Sequence, residues 1–226
     1  MIKNYKFLLL IILCVITSGC VWWRLLKTKN QLSKFNNNFD LSINEKNQNY
    51  SLIFKKPSLT TDDILYLTFA PNNIYNSTQT NMWAYLFEKY NNPQKATMHT
   101  YLFFKNKKLF KINFSTSFAK LIPPKQFKII CQSLGNASII QSLRTINASV
   151  PTKPDQFVYL HQIIHILGNA KETTITKNNN ILLYKYKLRD RINDVWFRLF
   201  FNKQNQCIKM QTHLAGGLIN VNFILI

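Results

Sequence analysis

The feature that most restricts the fold of this chain is a spacing of about 100 residues between two similar stretches. YLFFKNKKLFKI (101–112) aligns with RLFFNKQNQCIKM (198–210). Each belongs to a series of runs in which apolar and polar residues alternate, and alternation of this kind is typical of strands. A segment with a helical pattern precedes each series. The spacing predicts an α+β fold of two tandem helix-plus-antiparallel-meander units. Each unit is expected to be a helix packed on a three- to four-stranded sheet.

Three helices are predicted from the residues at their ends. In SLTTDDILYL (58–67) a threonine can cap the helix, and Asp62 and Asp63 lie in the first turn, where the helix dipole favours negative charge. We therefore interpret this acidic pair as a cap and not as catalytic. PDQFVYLHQIIHILG (154–168) has a proline near its start and a glycine after its end, and PPKQFKIICQSLGNA (123–137) has the same arrangement.

The predicted strands are bounded by turn residues and alternate between apolar and polar positions. They span 49–54, 81–89, 97–104 and 108–115 in the first half, and 180–189, 194–201, 206–213 and 216–226 in the second. In the 108–115 run, Phe110, Ile112 and Phe114 are expected on one face and Leu109 on the other. The last strand is predicted to be an edge or closing strand of the second sheet.

The N-terminus has the layout of a secretory signal. A basic start precedes an apolar run of ten residues (7–16), and small residues then lead to Cys20. Ten residues are too few to span a bilayer core, which takes about 20. ITSGC (16–20) resembles a bacterial lipobox, which implies that Cys20 is acylated and becomes the first residue of the mature chain. The alternative is an uncleaved anchor flanked by Arg24 and Lys27.

These patterns divide the chain into five parts. We predict a signal peptide over 1–19, a lipidated N-terminus and flexible tether over 20–49, a first α+β unit over 50–122, a connecting helix and segment over 123–150, and a second α+β unit over 151–226. The tether is predicted from its richness in asparagine, lysine and glutamine, with strand character beginning near Leu41.

The net charge of +20 bears on the partners of the protein. The basic residues are spread over the whole chain, which leaves two interpretations open. The charge can serve an acidic partner, such as anionic lipid, or it can be an ordinary solvated surface. Lys185, Lys187 and Arg189 leave one face of a predicted strand and are the candidate anionic-surface residues. No zinc-finger spacing or aromatic RNA-recognition motif is present, so no nucleic-acid partner is predicted.

Two cysteines, Cys131 and Cys207, remain in the predicted mature chain besides Cys20. An even number in an oxidising compartment allows a disulfide between them. Two separate buried thiols are the alternative. Their spacing is not that of a metal site.

No catalytic or cofactor motif is found in the sequence. A glycine-rich phosphate loop and a nucleophile elbow are both missing. His161 and His165 share a helix face at a spacing that can hold zinc, but Gln162 stands where a metalloprotease needs glutamate. We therefore predict no enzyme, no metal and no cofactor.

The segment TNMWAYLFEKYNNPQKATMHTYLFFKNKKLFKINFS (80–115) resembles the BamE/SmpA family of outer-membrane assembly lipoproteins. The resemblance also includes Cys20 of the lipobox and the Trp-x-Tyr-x-Phe strand that begins at Trp83. It implies helices on a small antiparallel sheet, a peripheral place in the barrel-assembly machinery, and contact with anionic phospholipid. Two such units resemble the tandem β-lactamase-inhibitor-protein architecture, which binds proteins through its sheet face.

Two classes of function remain open. The first is a non-enzymatic binding or scaffold lipoprotein of the cell envelope, anchored through Cys20 in the outer membrane and facing the periplasm, with an envelope protein or anionic lipid as partner. The second is a lipid-binding or lipid-transfer lipoprotein with an apolar cleft. A continuous apolar pocket between helix and sheet favours the second class, and a filled core favours the first.

Overall fold

The computed structural model describes residues 26–46, 48–68, 70–89, 98–176, 179–188, 195–214 and 217–226. The predicted signal peptide, Cys20 and Arg189 lie outside the described residues, and so does the side chain of Lys187. In the described part of the chain, no helix has the length and apolar character needed to cross a membrane.

The described chain contains six α-helices, one 3-10 turn and thirteen strands. The helices are α1 (26–33), α2 (Phe35–Asn38), α3 (Thr61–Leu67), α4 (Thr116–Leu121), α5 (Pro124–Gly135) and α6 (Leu160–Leu167), and the 3-10 turn is Pro154–Gln156. The strands of the first half are β1 (Phe39–Asn44), β2 (Asn49–Phe54), β3 (Asn73–Asn76), β4 (Thr80–Lys89), β5 (Met98–Lys105) and β6 (Lys108–Phe114). Those that follow are β7 (Ser138–Ile140), β8 (Thr145–Thr152), β9 (Glu172–Ile175), β10 (Asn180–Leu188), β11 (Val195–Phe201), β12 (Cys207–Leu214) and β13 (Gly217–Leu225).

The described strands form one sheet in the order β1-β2-β6-β5-β4-β10-β11-β12-β13-β8-β7, with β3 beside β4 and β9 beside β10. The pairing of β8 with β13 is parallel, and the other pairings are antiparallel. The α+β class and the mostly antiparallel sheet are therefore confirmed.

The expected pair of separate sheets is wrong, because β4 pairs with β10. Phe87 pairs with Leu188, and Lys89 with Tyr186. Strand β3 covers only the first part of β4, and β9 covers only the first part of β10. The parts of β4 and β10 that β3 and β9 leave uncovered pair with each other, as exposed strand edges readily do.

The order helix, short strand and three-strand meander occurs twice, in α3-β3-β4-β5-β6 and in α6-β9-β10-β11-β12. The registers also correspond: Trp83 pairs with Leu102 in the first half, and Leu182 with Leu199 in the second. A bulge interrupts the pairing of β5 with β6 after Phe103, and the same irregularity lies between β11 and β12.

Three hydrophobic clusters join the helices to one face of the sheet. The first contains residues of α2, α3 and α5 against β1, β2 and β4–β6, the second packs α6 on β10–β12, and the third packs α5 on β8 and β13. Phe87 contacts both the first and the second cluster, and Met210 and Phe223 contact both the second and the third. The clusters therefore form a connected core.

The predicted flexible tether over 20–49 is wrong for its described residues from 26 to 38, whereas the strand character expected near Leu41 is found in β1. Residues 26–33 are helical, and Phe35 and Phe39 are each only 3% exposed in the first cluster. Their rings lie 5.1 Å apart. Two phenylalanines four residues apart thus fix a segment whose other residues are mostly polar.

The predicted connecting segment over 123–150 also belongs partly to the sheet. Its last residues enter β8, which pairs in parallel with β13 from Leu218–Thr145 to Leu225–Thr152. The last strand is therefore an interior strand between β12 and β8, and the prediction of an edge position is wrong. The error arises because this pairing joins residues far apart along the chain.

Candidate interaction face

The sheet has one face packed under the helices and an opposite face that we call the open face. Leu102 and Phe104 of β5, and Leu199 and Phe201 of β11, are buried in the clusters under the helices. Because side chains alternate along a strand, the neighbouring residues point the other way. The open face includes Phe103, Lys111, Trp196, Arg198, Phe200 and Lys209.

On the open face, cations lie over aromatic rings in both halves. Lys111 Nζ lies 5.6 Å from the centre of the Phe103 ring, and Lys209 Nζ lies 5.3 Å from that of Phe200. In each case the lysine is the direct cross-strand partner of the phenylalanine, next to the bulge. A quadrupolar ring face attracts a cation at this distance. Equivalent register positions therefore hold the same pair of groups.

A third pair lies on the same face. The Arg198 guanidinium carbon is 5.1 Å from the centre of the Trp196 ring, and the His213 ring stacks on Trp196 with a centroid distance of 6.4 Å. Among the described residues, no carboxylate forms an ion pair with Lys111, Arg198 or Lys209. These cations are therefore available to an external anion.

Lys185, a predicted anionic-surface residue, also lies on the open face. Its Nζ is 3.8 Å from Oε1 of Glu172 on the neighbouring strand β9. A carboxylate at this distance offsets its charge, so Lys185 is a weaker anion site than Lys111, Arg198 or Lys209. The proposed grouping of Lys185 with Lys187 and Arg189 stays a prediction, because the latter two side chains lie outside the described residues.

Next to the aromatic pairs, the open face carries a row of amides. Gln211 Nε2 donates to Asn220 Oδ1 over 2.9 Å, and Asn220 Nδ2 donates to Asn147 Oδ1 over 2.8 Å. This row crosses β12, β13 and β8. Hydrogen-bonded amides of this kind give this part of the face a polar, uncharged character.

A cleft of about 520 Å³ lies among the helices α4, α5 and α6 and the 3-10 turn. Its lining includes Lys120, Lys125, Asp155, His161 and His165 as well as apolar groups. The cleft is thus bounded by helices and polar groups, and it is not an apolar space between helix and sheet. In the described part of the chain, no group of three or more metal-ligating side chains occurs.

The two predicted disulfide partners are free, buried thiols in different clusters. Cys131 of α5 packs in the first cluster and Cys207 of β12 in the second. Burial raises the pKa of each thiol to about 12. Of the two alternatives that the sequence leaves open, separate buried thiols is the one found in this structure.

The bulge between β5 and β6 changes which face some of the residues of β6 occupy, and simple alternation does not predict this change. Leu109 is 1% exposed in the first cluster together with Ile112 and Phe114, while the Phe110 ring lies 6.4 Å from that of Phe103. The expected grouping of Phe110 with Ile112 and Phe114 is therefore wrong. An available signal was the recurrence of Phe and Lys in the two aligned stretches.

Comparison with known proteins adds no relative: no family model, no curated protein and no solved structure matches this chain. The resemblance to the BamE/SmpA family, which depends on short motifs, therefore stays a prediction.

Proposed function

We propose that this protein is a lipid-anchored, non-enzymatic binding or scaffold protein of the bacterial cell envelope, built from two copies of one α+β unit. The sequence around Cys20 supports the anchor, because a short apolar run followed by small residues and cysteine is typical of lipoprotein precursors. Two or three acyl chains on one residue are enough for stable membrane attachment. An outer-membrane location facing the periplasm is part of this proposal.

The proposed duplication is supported by contacts that recur at equivalent places. The Tyr85 hydroxyl lies 3.2 Å from Thr68 Oγ1 at the C-terminus of α3, and the Tyr184 hydroxyl donates to the Gly168 carbonyl at the C-terminus of α6 over 2.9 Å. Both tyrosines are buried. A hydrogen bond between a strand tyrosine and the end of the preceding helix is too specific to follow from composition alone.

The observation that carries the binding role is the open face. Lysine–phenylalanine pairs occupy equivalent positions in both halves, whereas the opposite face is filled by the helices. Aromatic side chains and arginine are enriched at binding interfaces, and the open face carries Phe103, Phe200, Trp196 and Arg198. The hydrophobic clusters packed between the helices and the sheet, and the charged side chains in the lining of the described cleft, favour this role over that of a lipid carrier.

The binding role is tested by photo-crosslinking in intact cells. A photoreactive phenylalanine analogue replaces Phe103 or Phe200 on the open face, and Ile164, an exposed residue of α6, serves as the matched control. We expect discrete adducts from both open-face positions, lost when Lys111→Gln and Lys209→Gln are combined, and none from the control. Equal adducts at all three positions, or adducts unaffected by the lysine changes, contradict the role of this face.

The anchor is tested separately. Cys20→Ser should leave an unprocessed precursor, and the mature wild-type protein should begin at a Cys20 that carries acyl chains, as measured by mass spectrometry. Normal processing and membrane retention of the serine variant would contradict the lipoprotein assignment.

A further inference from the structure

The two halves differ in charge at one corresponding end of the sheet. In the first half, the turn between β5 and β6 contacts the start of α3: Thr61 N–H donates to the Lys107 carbonyl over 3.0 Å. In the second half, Leu160 N–H at the start of α6 donates to the Asn205 carbonyl over 2.9 Å. The bridges Thr60–Lys108 and Tyr159–Gln206 place the rest of these turns in register.

This equivalence pairs lysines with neutral or acidic residues. Lys105, Lys107 and Lys108 correspond to Asn202, Asn205 and Gln206, and Lys56 corresponds to Asp155. All four lysines are exposed, and none forms an ion pair with a described carboxylate. The exposed acidic residue that is nearest to these lysines along the chain is Asp62, in the first turn of α3. The second half has amides at three of these places and a carboxylate at the fourth, so the fold does not require the lysines.

Lys107 is also an unfavourable residue for its backbone conformation. Its φ is 61°, in the left-handed region, and the preceding Asn106 has a φ of 50°. Tight hairpin turns of this kind favour asparagine followed by glycine. The equivalent residue Asn205, with a φ of 59°, suits that region better. A lysine at position 107 is thus unexplained by the turn itself.

The chain enters the folded body at this same end. Lys27 in the first described turn of α1 donates from Nζ to Asp63 Oδ2 over 3.1 Å, and the same oxygen accepts the Thr60 N–H over 3.0 Å. Residue 26, where the described chain begins, is six residues after Cys20. Six extended residues span at most about 20 Å. An acylated Cys20 therefore holds this end of the molecule close to the lipid headgroups.

We propose that Lys56, Lys105, Lys107 and Lys108 form a docking surface for the anionic headgroups of the membrane that holds the anchor. The proposal rests on the lipid anchor of the proposed function. Basic clusters beside an anchor add electrostatic attraction to anionic lipid that fades within a Debye length, and a connection of at most about 20 Å allows these ammonium groups to come that close to the headgroups. The surface sets the orientation of the body, with one end of the first half against the bilayer.

The test uses the mature lipoprotein, purified in mild detergent and reconstituted into vesicles of phosphatidylcholine alone or mixed with phosphatidylglycerol. A membrane-impermeant amine reagent labels the exposed lysines, and mass spectrometry gives the rate at each. We expect several-fold slower labelling of the four lysines on the anionic vesicles, with little change at Lys203 in the equivalent turn of the second half. The difference should vanish in high salt, which shortens the Debye length to about 3 Å at 1 M.

A matched variant copies the second half: Lys105→Asn, Lys107→Asn and Lys108→Gln together, with Lys203→Gln as control. Lys56 should lose its protection in the triple variant and keep it in the control. Equal labelling on both kinds of vesicle contradicts the docking surface. If Cys20 is found to be acylated in that case, the proposed lipid anchor still stands. A Cys20 without acyl chains overturns both. If the four lysines are labelled slowly in native envelopes but not on vesicles, their partner is a protein and not lipid.

Discussion

The start of α3 shows how few side chains are needed to fix a helix end. Thr60 Oγ1 accepts the Asp63 N–H over 3.2 Å, and the Asp63 carboxylate accepts the Thr60 N–H over 3.0 Å, which together form a capping box. The sequence predicts this arrangement because both residue types and their spacing are local. The bond from Lys27 to the same carboxylate is not predictable, since it joins residues 36 apart.

Asp63→Asn should therefore destabilise the protein in a pH-dependent way. Burial alone would raise the pKa of Asp63, but hydrogen bonds from Thr60 and Lys27 hold that pKa below its ordinary value. A carboxyl group of this kind contributes stability above its unfolded pKa and loses it as the pH falls through its folded pKa. We expect a loss of about 1 kcal/mol near neutral pH, from the weakened cap and ion pair.

Urea denaturation over a series of pH values measures this effect. The unfolding curves of the wild type and the Asp63→Asn variant should converge in acid. Asp62→Asn, in the same turn but exposed, is the control and should have the smaller effect. A difference between wild type and Asp63→Asn that stays constant down to low pH would count against this account.

The cysteines give a second prediction at this scale. Because burial raises the pKa of Cys131 and Cys207 to about 12, little thiolate is present and neither sulfur is accessible. Both should resist iodoacetamide in the native protein and react fully in denaturant without reductant. Peptide mapping assigns the labelled sites. If reaction in denaturant requires a reductant, the two residues are disulfide-bonded after all.

At the scale of elements, α5 and α1 approach each other closely at one glycine. A Cβ on Gly135 would lie 2.1 Å from Ser33 N and 2.4 Å from the Leu32 carbonyl carbon. These are backbone atoms, so they cannot move aside as a flexible side chain does. Gly135 is the last residue of α5 and does not have a positive φ, so the close approach of α1 accounts for the glycine.

Gly135→Ala should therefore lower the free energy of unfolding by about 3 kcal/mol, at the upper end of the cost of overpacking. Thermal and urea denaturation measure the loss. Asn136→Ala, at the next, exposed position, is the control and should change stability by no more than about 0.5 kcal/mol. A tolerated alanine at 135 would show that α1 does not pack against α5 in solution.

The elements themselves could largely be predicted from the sequence, but their edges and partners could not. The strands β4, β5, β10 and β11 follow clean alternation, which depends only on neighbours in the chain. The bulge after Phe103 shifts Leu109 into the core, and alternation alone cannot show an extra residue. β8 contains Pro151 and pairs in parallel with a strand some seventy residues away, so no local signal marks it.

At the scale of the whole molecule, Phe87 connects the two halves. It lies in β4 beside β10, and it packs against both the first and the second cluster. The sequence places Phe87 on the apolar face of its strand, but it does not reveal the second cluster. That contact exists only because β4 pairs with β10 within one sheet.

Phe87→Ala should lower the free energy of unfolding by about 2–3 kcal/mol, because the side chain is only partly buried. Since the two clusters share this residue, we also expect the wild type to unfold in one transition and the variant in two. Hydrogen exchange, analysed peptide by peptide, measures the protection of the backbone amides in each half. Phe110→Ala, outside the three clusters, is the control. Uniform loss of protection in both halves would argue against Phe87 as the coupling residue.

The junction between β4 and β10 has a twofold character. Glu88 pairs with Lys187, its equivalent in the second half, and the pairs Phe87–Leu188 and Lys89–Tyr186 lie symmetrically on either side. Residues at equivalent positions thus meet around a local axis, as they do in the isologous interface of a homodimer. A single free unit would carry an edge complementary to itself. Because both edges belong to one chain, that contact is intramolecular, independent of concentration, and closed to a further copy.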